Sequence, residues 1–164
     1  MFQLFRPHYR LEEVTQLTVE QLEHWKIRSL LLDVDSTLKR YGAPELAPDV
    51  VAWLETMKSE GIGLCIVSNG SARRIGPFAR SLGIPFIAPA LKPLGRGCRK
   101  AMRQMNFVPQ TTAMVGDQLF ADVVAARLAG ITAILIKPIS PELEPFWTRI
   151  KRPFEKMIEK KRRT

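Results

Sequence analysis

The chain has few of the side chains that form disulfides or bind soft metals. Its 164 residues include only two cysteines and two histidines. Cys65 and Cys98 lie within apolar patterns rather than in a CxxC motif, and neither His8 nor His24 has a partner at ligand spacing. The composition therefore argues against a thiolate metal site and predicts buried thiols in a reducing compartment.

Long apolar runs are also missing. No segment approaches the roughly 20 apolar residues that a membrane-spanning helix needs, and the N-terminus lacks the apolar region of a signal peptide. We therefore expect a cytoplasmic protein, attached at most to the surface of the cytoplasmic membrane.

Acidic residues are scarce relative to basic ones, and the excess is concentrated at one end of the chain. The formal net charge is +9, and residues 149–164 hold eight Lys or Arg against two Glu, a net of +6. A basic terminal block is typical of proteins that bind an anionic partner, either phospholipid headgroups or nucleic acid. The alternative is a solvated tail that only keeps the protein in solution.

Short continuous apolar segments predict the strands of a sheet that is covered on both faces. There are five such segments: 29–34, 62–68, 85–89, 112–117 and 131–137. Helical patterns lie between them, which indicates βαβ units and an α/β, Rossmann-like, doubly wound and mainly parallel sheet of about five strands.

The pattern divides the chain into three parts. Residues 1–28 form an N-terminal extension with a short helix, which Thr18 and Gln21 would cap; 29–140 form the core; and 141–164 form a basic, amphipathic C-terminal tail. After the second strand, Pro77 predicts a turn first and a helix only from about Gly76.

Polar residues interrupt the apolar pattern where the predicted strands end. In a parallel sheet these ends share one edge, where ligands bind. The residues concerned are Asp33, Asp35, Ser68, Asn69, Lys92, Asp117 and Asp122. Each alone could be a helix cap or a solvated loop residue. Together they predict a functional site.

Converging carboxylates repel one another unless a cation is present. Oxygen ligands with remaining water positions suit Mg²⁺. A cation beside a lysine and a hydroxyl favours phosphoryl transfer, in which an aspartate accepts the phosphoryl group as an aspartyl-phosphate and a second aspartate acts as general acid and base.

Four segments resemble the motifs of the haloacid dehalogenase (HAD) superfamily of phosphohydrolases. They are "DVDST" (33–37), "SNG" (68–70), Lys92 in "LKP" and "GDQLFAD" (116–122), in that order along residues 29–137. The resemblance implies a magnesium-dependent phosphatase with the HAD fold.

The resemblance also implies a role for each matching residue in the first motif. Asp33 would be the nucleophile and a metal ligand. Asp35 would be the general acid and base, and its backbone carbonyl would also bind the metal. Thr37 would steady the turn that follows the strand and help to bind the phosphate.

The other three motifs supply the rest of the implied site. Ser68 would bind the phosphoryl group, and Asn69 would hold its loop and help to bind the phosphate. Lys92 would stabilise the charged intermediate as both a catalytic and a phosphate-binding residue. Asp117 would complete the metal site, and Asp122 would orient Lys92 or a metal-bound water.

Neither gap between the first three motifs has room for an inserted cap domain, since about thirty residues separate Asp35 from Ser68 and fewer separate Asn69 from Lys92. The site should therefore be open. The whole chain is similar to the small subclass IIIA phosphatases of the phosphatidylglycerophosphatase type, which implies a phospholipid phosphate as substrate.

Basic residues next to the first two motifs are candidates for a second anion site: Lys39, Arg40, Arg73 and Arg74. Such a site would bind the internal phosphodiester of phosphatidylglycerophosphate. Apolar residues of the tail recur at helical spacing, with a break at Pro153, so the tail could pack on the domain or lie on an anionic membrane through residues 149–164.

Two other functions stay open at this point. The first is a phosphatase for a soluble sugar, polyol or nucleotide phosphate. The second is a nucleic-acid-binding or ribosome-associated protein that uses the basic tail, although the sequence shows no RNA-binding motif that pairs stacking aromatics with basic residues.

Overall fold

A single parallel sheet of six strands organises the described part of the chain. The structure, a computed structural model, describes residues 2–145 and 153–157. The strand order is β1-β6-β5-β2-β3-β4, and all five pairings are parallel. The strands are β1 (Tyr9–Leu11), β2 (Ser29–Leu32), β3 (Gly63–Val67), β4 (Phe86–Ile87), β5 (Thr112–Gly116) and β6 (Thr132–Ile136).

Five α-helices connect these strands: α1 (Val19–His24), α2 (Pro48–Ser59), α3 (Ala72–Ser81), α4 (Arg96–Met105) and α5 (Val124–Ala129). The sequence signals for their ends match the structure in several places. Thr18 and Gln21 form the predicted capping box of α1, and Pro48 occupies the first turn of α2.

Apolar side chains cover both faces of the sheet. Along β2, Leu30 and Leu32 point toward α1, α2 and α3, whereas Leu31 points toward α4 and α5. Because every residue of β2 is buried, the strand is a continuous apolar run rather than an alternating one. Cys65 and Cys98 are buried and unpaired in the cluster that contains Leu31, as the sequence predicted.

The order of winding reverses at β2. The chain adds β3 and then β4 on one side of β2, and β5 and then β6 on the other side. A reversal of this kind is where parallel sheets usually bind ligands, so the carboxyl ends of β2 and β5 are the expected place of the site. Residues 36–62 contain only a loop and α2, so the prediction that no cap domain interrupts this region is confirmed.

The sixth strand was not predicted. Residues Tyr9–Leu11 pair with β6, with Tyr9 opposite Ile134, so the N-terminal extension contributes an edge strand to the sheet. The segment is only three residues long and half-exposed, with Arg10 at its centre. A strand this short shows too little apolar periodicity for detection from sequence.

The prediction that α3 begins only near Gly76 is wrong. The helix starts at Ala72, because the Ser71 hydroxyl accepts a hydrogen bond from the Arg74 backbone N–H and caps it. Pro77 lies inside the helix and removes one backbone hydrogen bond. Burial of Ile75 and Ala79 against the sheet offsets that loss.

Most of the predicted amphipathic tail lies outside the described residues. Its described parts are 141–145, which begin with a 3₁₀ turn at Pro141–Leu143, and 153–157, which are helical and expose Phe154 and Met157. Glu155 is buried, and its carboxylate accepts a hydrogen bond from the Phe120 backbone N–H at 3.0 Å. Over the ranges that the structure describes, none of the helices has the length and apolarity needed to cross a bilayer.

Candidate active site

The turn after β2 places the first pair of aspartates at the carboxyl end of this strand. The Asp33 backbone N–H donates to the Val115 carbonyl of β5 at 2.9 Å, which continues the β2–β5 pairing by one residue. The Val34 carbonyl then accepts from the Thr37 and Leu38 N–H groups, and Ser36 has a φ of +64°. This tight turn directs Asp33, Asp35 and Thr37 toward the same edge of the sheet.

A buried lysine joins two of the carboxylates. Lys92 Nζ lies 2.6 Å from Asp33 Oδ1 and 2.7 Å from Asp122 Oδ1. All three residues are buried, with at most 8% of any of these side chains exposed. A lysine is rarely buried to this extent unless it is paired. Keeping Lys92 beside both carboxylates requires that the loop that carries it is held in place.

Asn69 supplies that anchor. Its side-chain Nδ2 donates to the Lys92 carbonyl at 2.9 Å, and its Oδ1 accepts from the Lys92 N–H at 2.8 Å. The neighbouring Ser68 carbonyl accepts from the Ala90 N–H, and the Ser68 hydroxyl accepts from the Gly70 N–H. The loop after β3 and the loop that carries Lys92 are therefore fixed to each other.

Asp122 reaches Lys92 from a single π-helical turn, Leu119–Val123, that precedes α5. Its second carboxylate oxygen accepts from the Gln118 N–H at 3.0 Å. The side chain crosses directly over Gly116, where a Cβ atom would lie 2.2 Å from Asp122 Cγ. Gly116 is thus a functional position that the sequence analysis missed, although a glycine at the end of a buried strand is a recognisable sign of close approach.

Three carboxylates converge beside the lysine. One oxygen from each of Asp33, Asp117 and Asp122 lies within 4.8 Å of the others. The Thr37 hydroxyl lies 3.0 Å from Asp117 Oδ1 and 3.4 Å from Asp33 Oδ2, so it can donate its one proton to only one of them at a time. Among the residues that the structure describes, one ammonium group, that of Lys92, lies beside three buried carboxylates, which leaves a local excess of negative charge there.

The electrostatics of the site reflect this excess. Burial raises the pKa of Asp33 to about 7, because desolvation and the Asp122 carboxylate together outweigh the Lys92 ammonium. Burial alone would lower the pKa of Lys92, but Asp122 and Asp33 raise it above its usual range, so the lysine stays charged. A bound divalent cation would supply the missing positive charge and favour the ionised form of Asp33.

The donor atoms fit a hard cation, since they are all oxygens and lie close together. The cluster contains Asp33 and Asp117, which the sequence predicted as metal ligands, and adds Asp122. The roles assigned to Asp35 through its backbone carbonyl, and to the phosphate-binding residues, stay predictions.

Asp35 faces a different partner. Both of its carboxylate oxygens accept hydrogen bonds from the Arg74 guanidinium, at 3.0 and 2.6 Å. The sequence could not reveal this pairing, because the two residues are 39 positions apart. Arg74 had been predicted to bind a second anion, and in this structure a carboxylate of the site itself takes that position.

The other three predicted anion-binding residues are Lys39, Arg40 and Arg73. Lys39 Nζ donates to the Ala43 carbonyl and lies 4.4 Å from the centroid of the Phe78 ring. Arg40 and Arg73 are exposed. A second anion site formed by these three residues and Arg74 stays a prediction.

Residues 3–130 match the family model of the haloacid dehalogenase-like hydrolases. The chain belongs to this family. It is 34% identical over 154 residues to a probable phosphatase, YqeG, of Bacillus subtilis, and that alignment covers 94% of this chain and 89% of the relative. It is also 23% identical to the chloroplastic phosphatidylglycerophosphate phosphatase 1 of Chlamydomonas reinhardtii, over 91% of this chain and 59% of that protein.

Solved structures show the same fold. The 3-deoxy-D-manno-octulosonate 8-phosphate phosphatase of Moraxella catarrhalis, solved with magnesium, phosphate and KDO, has a TM-score of 0.55 and 20% identity. The match covers 75% of this chain and 76% of that one. The family, the named relatives and the site together make this protein a HAD-type phosphatase.

Proposed function

We propose that the protein is a magnesium-dependent phosphatase that removes the terminal phosphate of phosphatidylglycerophosphate and leaves phosphatidylglycerol. The chemistry rests on one observation above all, the buried cluster in which Lys92 contacts Asp33 and Asp122 while Asp117 lies within 4.8 Å. The lipid substrate is supported by the similarity to a phosphatidylglycerophosphate phosphatase over 91% of the chain.

In the first half of the reaction, an Asp33 carboxylate oxygen attacks the phosphorus of the terminal phosphate. The bond between phosphorus and the glycerol oxygen breaks, and Asp35 donates a proton to that oxygen. Asp33 is then an aspartyl-phosphate. Lys92, 2.6 Å from Asp33 Oδ1, stabilises the negative charge on the phosphoryl oxygens.

In the second half, Asp35 takes a proton from a water molecule, and this water attacks the phosphorus. The bond between Asp33 and phosphorus breaks, which releases inorganic phosphate and restores the carboxylate. Asp33, Asp117 and Asp122 would hold the Mg²⁺ ion, which neutralises phosphoryl charge when it is bound. Thr37 would keep the Asp33 and Asp117 carboxylates in place through its hydroxyl.

The Arg74–Asp35 pair bears on the choice of substrate. While Arg74 occupies both oxygens of Asp35, that carboxyl group is not available to the leaving oxygen. Arg74 is 43% exposed and can turn toward solvent. A substrate with a second anion, such as the internal phosphodiester of phosphatidylglycerophosphate, would draw the guanidinium away from Asp35 and leave the acid free to act.

Such a substrate lies in a membrane, and the basic tail supports peripheral attachment to an anionic surface. Each basic residue near such a surface contributes about 1 kcal/mol, so the net of +6 over residues 149–164 would be enough for binding. The open, capless site is compatible with a phosphate presented at a bilayer.

The test compares phosphate release from phosphatidylglycerophosphate in anionic vesicles with release from glycerol 3-phosphate in solution. The intact protein should prefer the lipid. Replacement of Lys160, Lys161, Arg162 and Arg163 by Gln should weaken vesicle binding and lipid turnover but leave the soluble ester unaffected. This variant keeps Glu155, whose contact with Phe120 a truncation would remove.

A large preference for soluble esters, unchanged by the four substitutions, would overturn the lipid assignment and leave the phosphatase chemistry intact. The protein would then be a phosphatase of a soluble sugar, polyol or nucleotide phosphate. No phosphate release from any ester in the presence of Mg²⁺ would overturn the proposed chemistry itself.

A further inference from the structure

A cavity of about 580 Å³ opens beside the site, across the carboxyl ends of β6 and β1. Among the described residues its apolar lining is Leu11, Leu119, Leu135, Ile136, Pro138 and Pro141. The volume lies in the range of about 300–1,000 Å³ that is typical of small-molecule sites. Two residues of the fourth motif, Asp117 and Leu119, border this cavity, and no residue of the other three motifs does.

Asp117 connects the cavity to the site of phosphoryl transfer. It lines the cavity, and its carboxylate also belongs to the cluster with Asp33 and Asp122. A molecule whose phosphate lies at Asp33 and whose body lies in the cavity would therefore pass beside Asp117. Leu119, two residues after Asp117, forms part of the apolar wall at this junction.

The acidic side chains at the rim already have partners. Glu12 accepts a hydrogen bond from Lys137 Nζ at 2.8 Å, and Glu155 accepts from the Phe120 N–H at 3.0 Å. Lys156 is exposed at the same rim. An occupant thus meets apolar walls and a rim that carries both acidic and basic side chains, which suits a molecule with a polar head and an apolar body.

We infer that this cavity binds the glycerol backbone and the first methylene groups of an acyl chain while the terminal phosphate of the same lipid lies at Asp33. The inference rests on the proposed function and adds the part of the protein that selects the substrate. The apolar side chains of the lining offer no hydrogen bonds to the hydroxyl groups of a sugar or polyol, whereas the methylene groups of an acyl chain can pack against them.

The test uses two substrates with the same head group. One is dihexanoyl phosphatidylglycerophosphate, which dissolves as a monomer, and the other is its deacylated form, glycerophosphoglycerol phosphate. No vesicles are present, so attachment to a membrane does not contribute. The intact protein should show a kcat/KM at least about tenfold higher for the acylated substrate. The reason is that burying two methylene groups lowers the binding free energy by an amount that corresponds to about a tenfold gain in affinity.

Two variants place a charge on different walls of the cavity. Leu11→Asp changes the half-exposed end of β1, and Pro141→Asp changes an exposed residue on another wall. Either variant should lose most of the acyl preference and keep its turnover of the deacylated substrate, which also reports that the protein is folded. Val51→Asp, at an apolar position of α2 that is 40% exposed, is the matched control and should keep the preference.

Equal rates for the two substrates with the intact protein would overturn the inference while the phosphatase function stands. An acyl preference that survives in both cavity variants would also overturn it. If neither substrate is hydrolysed, while another phosphate ester is, the lipid assignment fails together with the inference. If no ester is hydrolysed, the proposed chemistry fails as well.

Discussion

The two ends of β2 and β5 differ in how their polar residues are satisfied. At the amino ends, Ser29 and Thr112 lie opposite each other, and their hydroxyl oxygens are 2.8 Å apart. Thr112 Oγ1 also lies 2.7 Å from the Val108 carbonyl. At the carboxyl ends, the chain continues into Asp33 and Asp117, whose carboxylates join the cluster with Asp122.

The difference follows from the chemistry of the groups. A hydroxyl both donates and accepts, so two hydroxyls can satisfy each other, whereas ionised carboxylates only accept. The carboxyl ends therefore depend on a buried lysine and a threonine hydroxyl, and the proposed Mg²⁺ ion would add further positive charge. We therefore expect the amino ends to contribute to stability alone, and the carboxyl ends to contribute to the chemistry of the site at a cost in stability.

The largest effect should follow from Asp33→Asn. The amide cannot act as the nucleophile, so phosphate release should fall by at least about a thousandfold, while the circular dichroism spectrum stays that of the folded protein. Asp49→Asn, at the exposed start of α2, is the control and should keep full activity. Substantial activity in Asp33→Asn would exclude the proposed nucleophile.

Lys92→Met should cost about 3–5 kcal/mol of unfolding free energy, because it leaves Asp33 and Asp122 buried without their cation. Added Mg²⁺ should recover part of this loss, which urea denaturation with and without the metal would measure. Lys137→Met breaks an exposed ion pair of similar length, 2.8 Å, and should leave the free energy of unfolding nearly unchanged, because solvent screens this pair. Equal losses in the two variants would contradict the picture of a strained, charged cluster.

Gly116→Ala should displace Asp122 and destabilise the protein by about 1–3 kcal/mol, since the new methyl group has no room. Magnesium affinity, measured by calorimetry, should fall together with phosphate release. Gly83→Ala meets nothing within 4 Å and strains only a backbone with a φ of +64°. It should cost about 1 kcal/mol of stability without weakening magnesium binding.

The smallest effect should come from the amino ends of the strands. Ser29→Ala, Thr112→Val and the double variant should each lose about 1 kcal/mol of stability, and the double variant should lose less than the sum of the two single ones. Thermal unfolding would measure these changes. Phosphate release should be unchanged, and a tenfold drop would show that the two ends of the strands are not separate in function.

Much of the fold could be predicted because the buried strands and the helix caps are local signals. Leu30, Leu31 and Leu32 form a run that only a doubly covered sheet explains, and the structure confirms it. The edge strand β1 was missed because its only neighbour is β6, and its three residues carry no pattern of their own. The start of α3 was predicted wrongly because the burial of Ile75 and Ala79 outweighed the usual effect of a proline, Pro77, inside a helix.

For the site, the sequence indicated which residues lie at the edge of the sheet but not how they pair. The contact between Lys92 and Asp122 was among the predicted options, whereas the bidentate ion pair between Arg74 and Asp35 was not. Ser36 shows a similar limit. Its hydroxyl is buried and has no hydrogen-bond partner among the described residues, which reflects the φ of +64° that the turn imposes on this position.

The pairing of β1 with β6 affects how the protein folds during its synthesis on the ribosome. His8 and Ala133, which join the two strands, are 125 residues apart in the chain. The segment that forms β1 is therefore synthesised well before β6, the strand that it pairs with, and can join the sheet only after β6 is available. Until residues 132–136 have left the exit tunnel, the growing chain exposes the edge of β5, and a chaperone that shields this edge would protect the nascent enzyme.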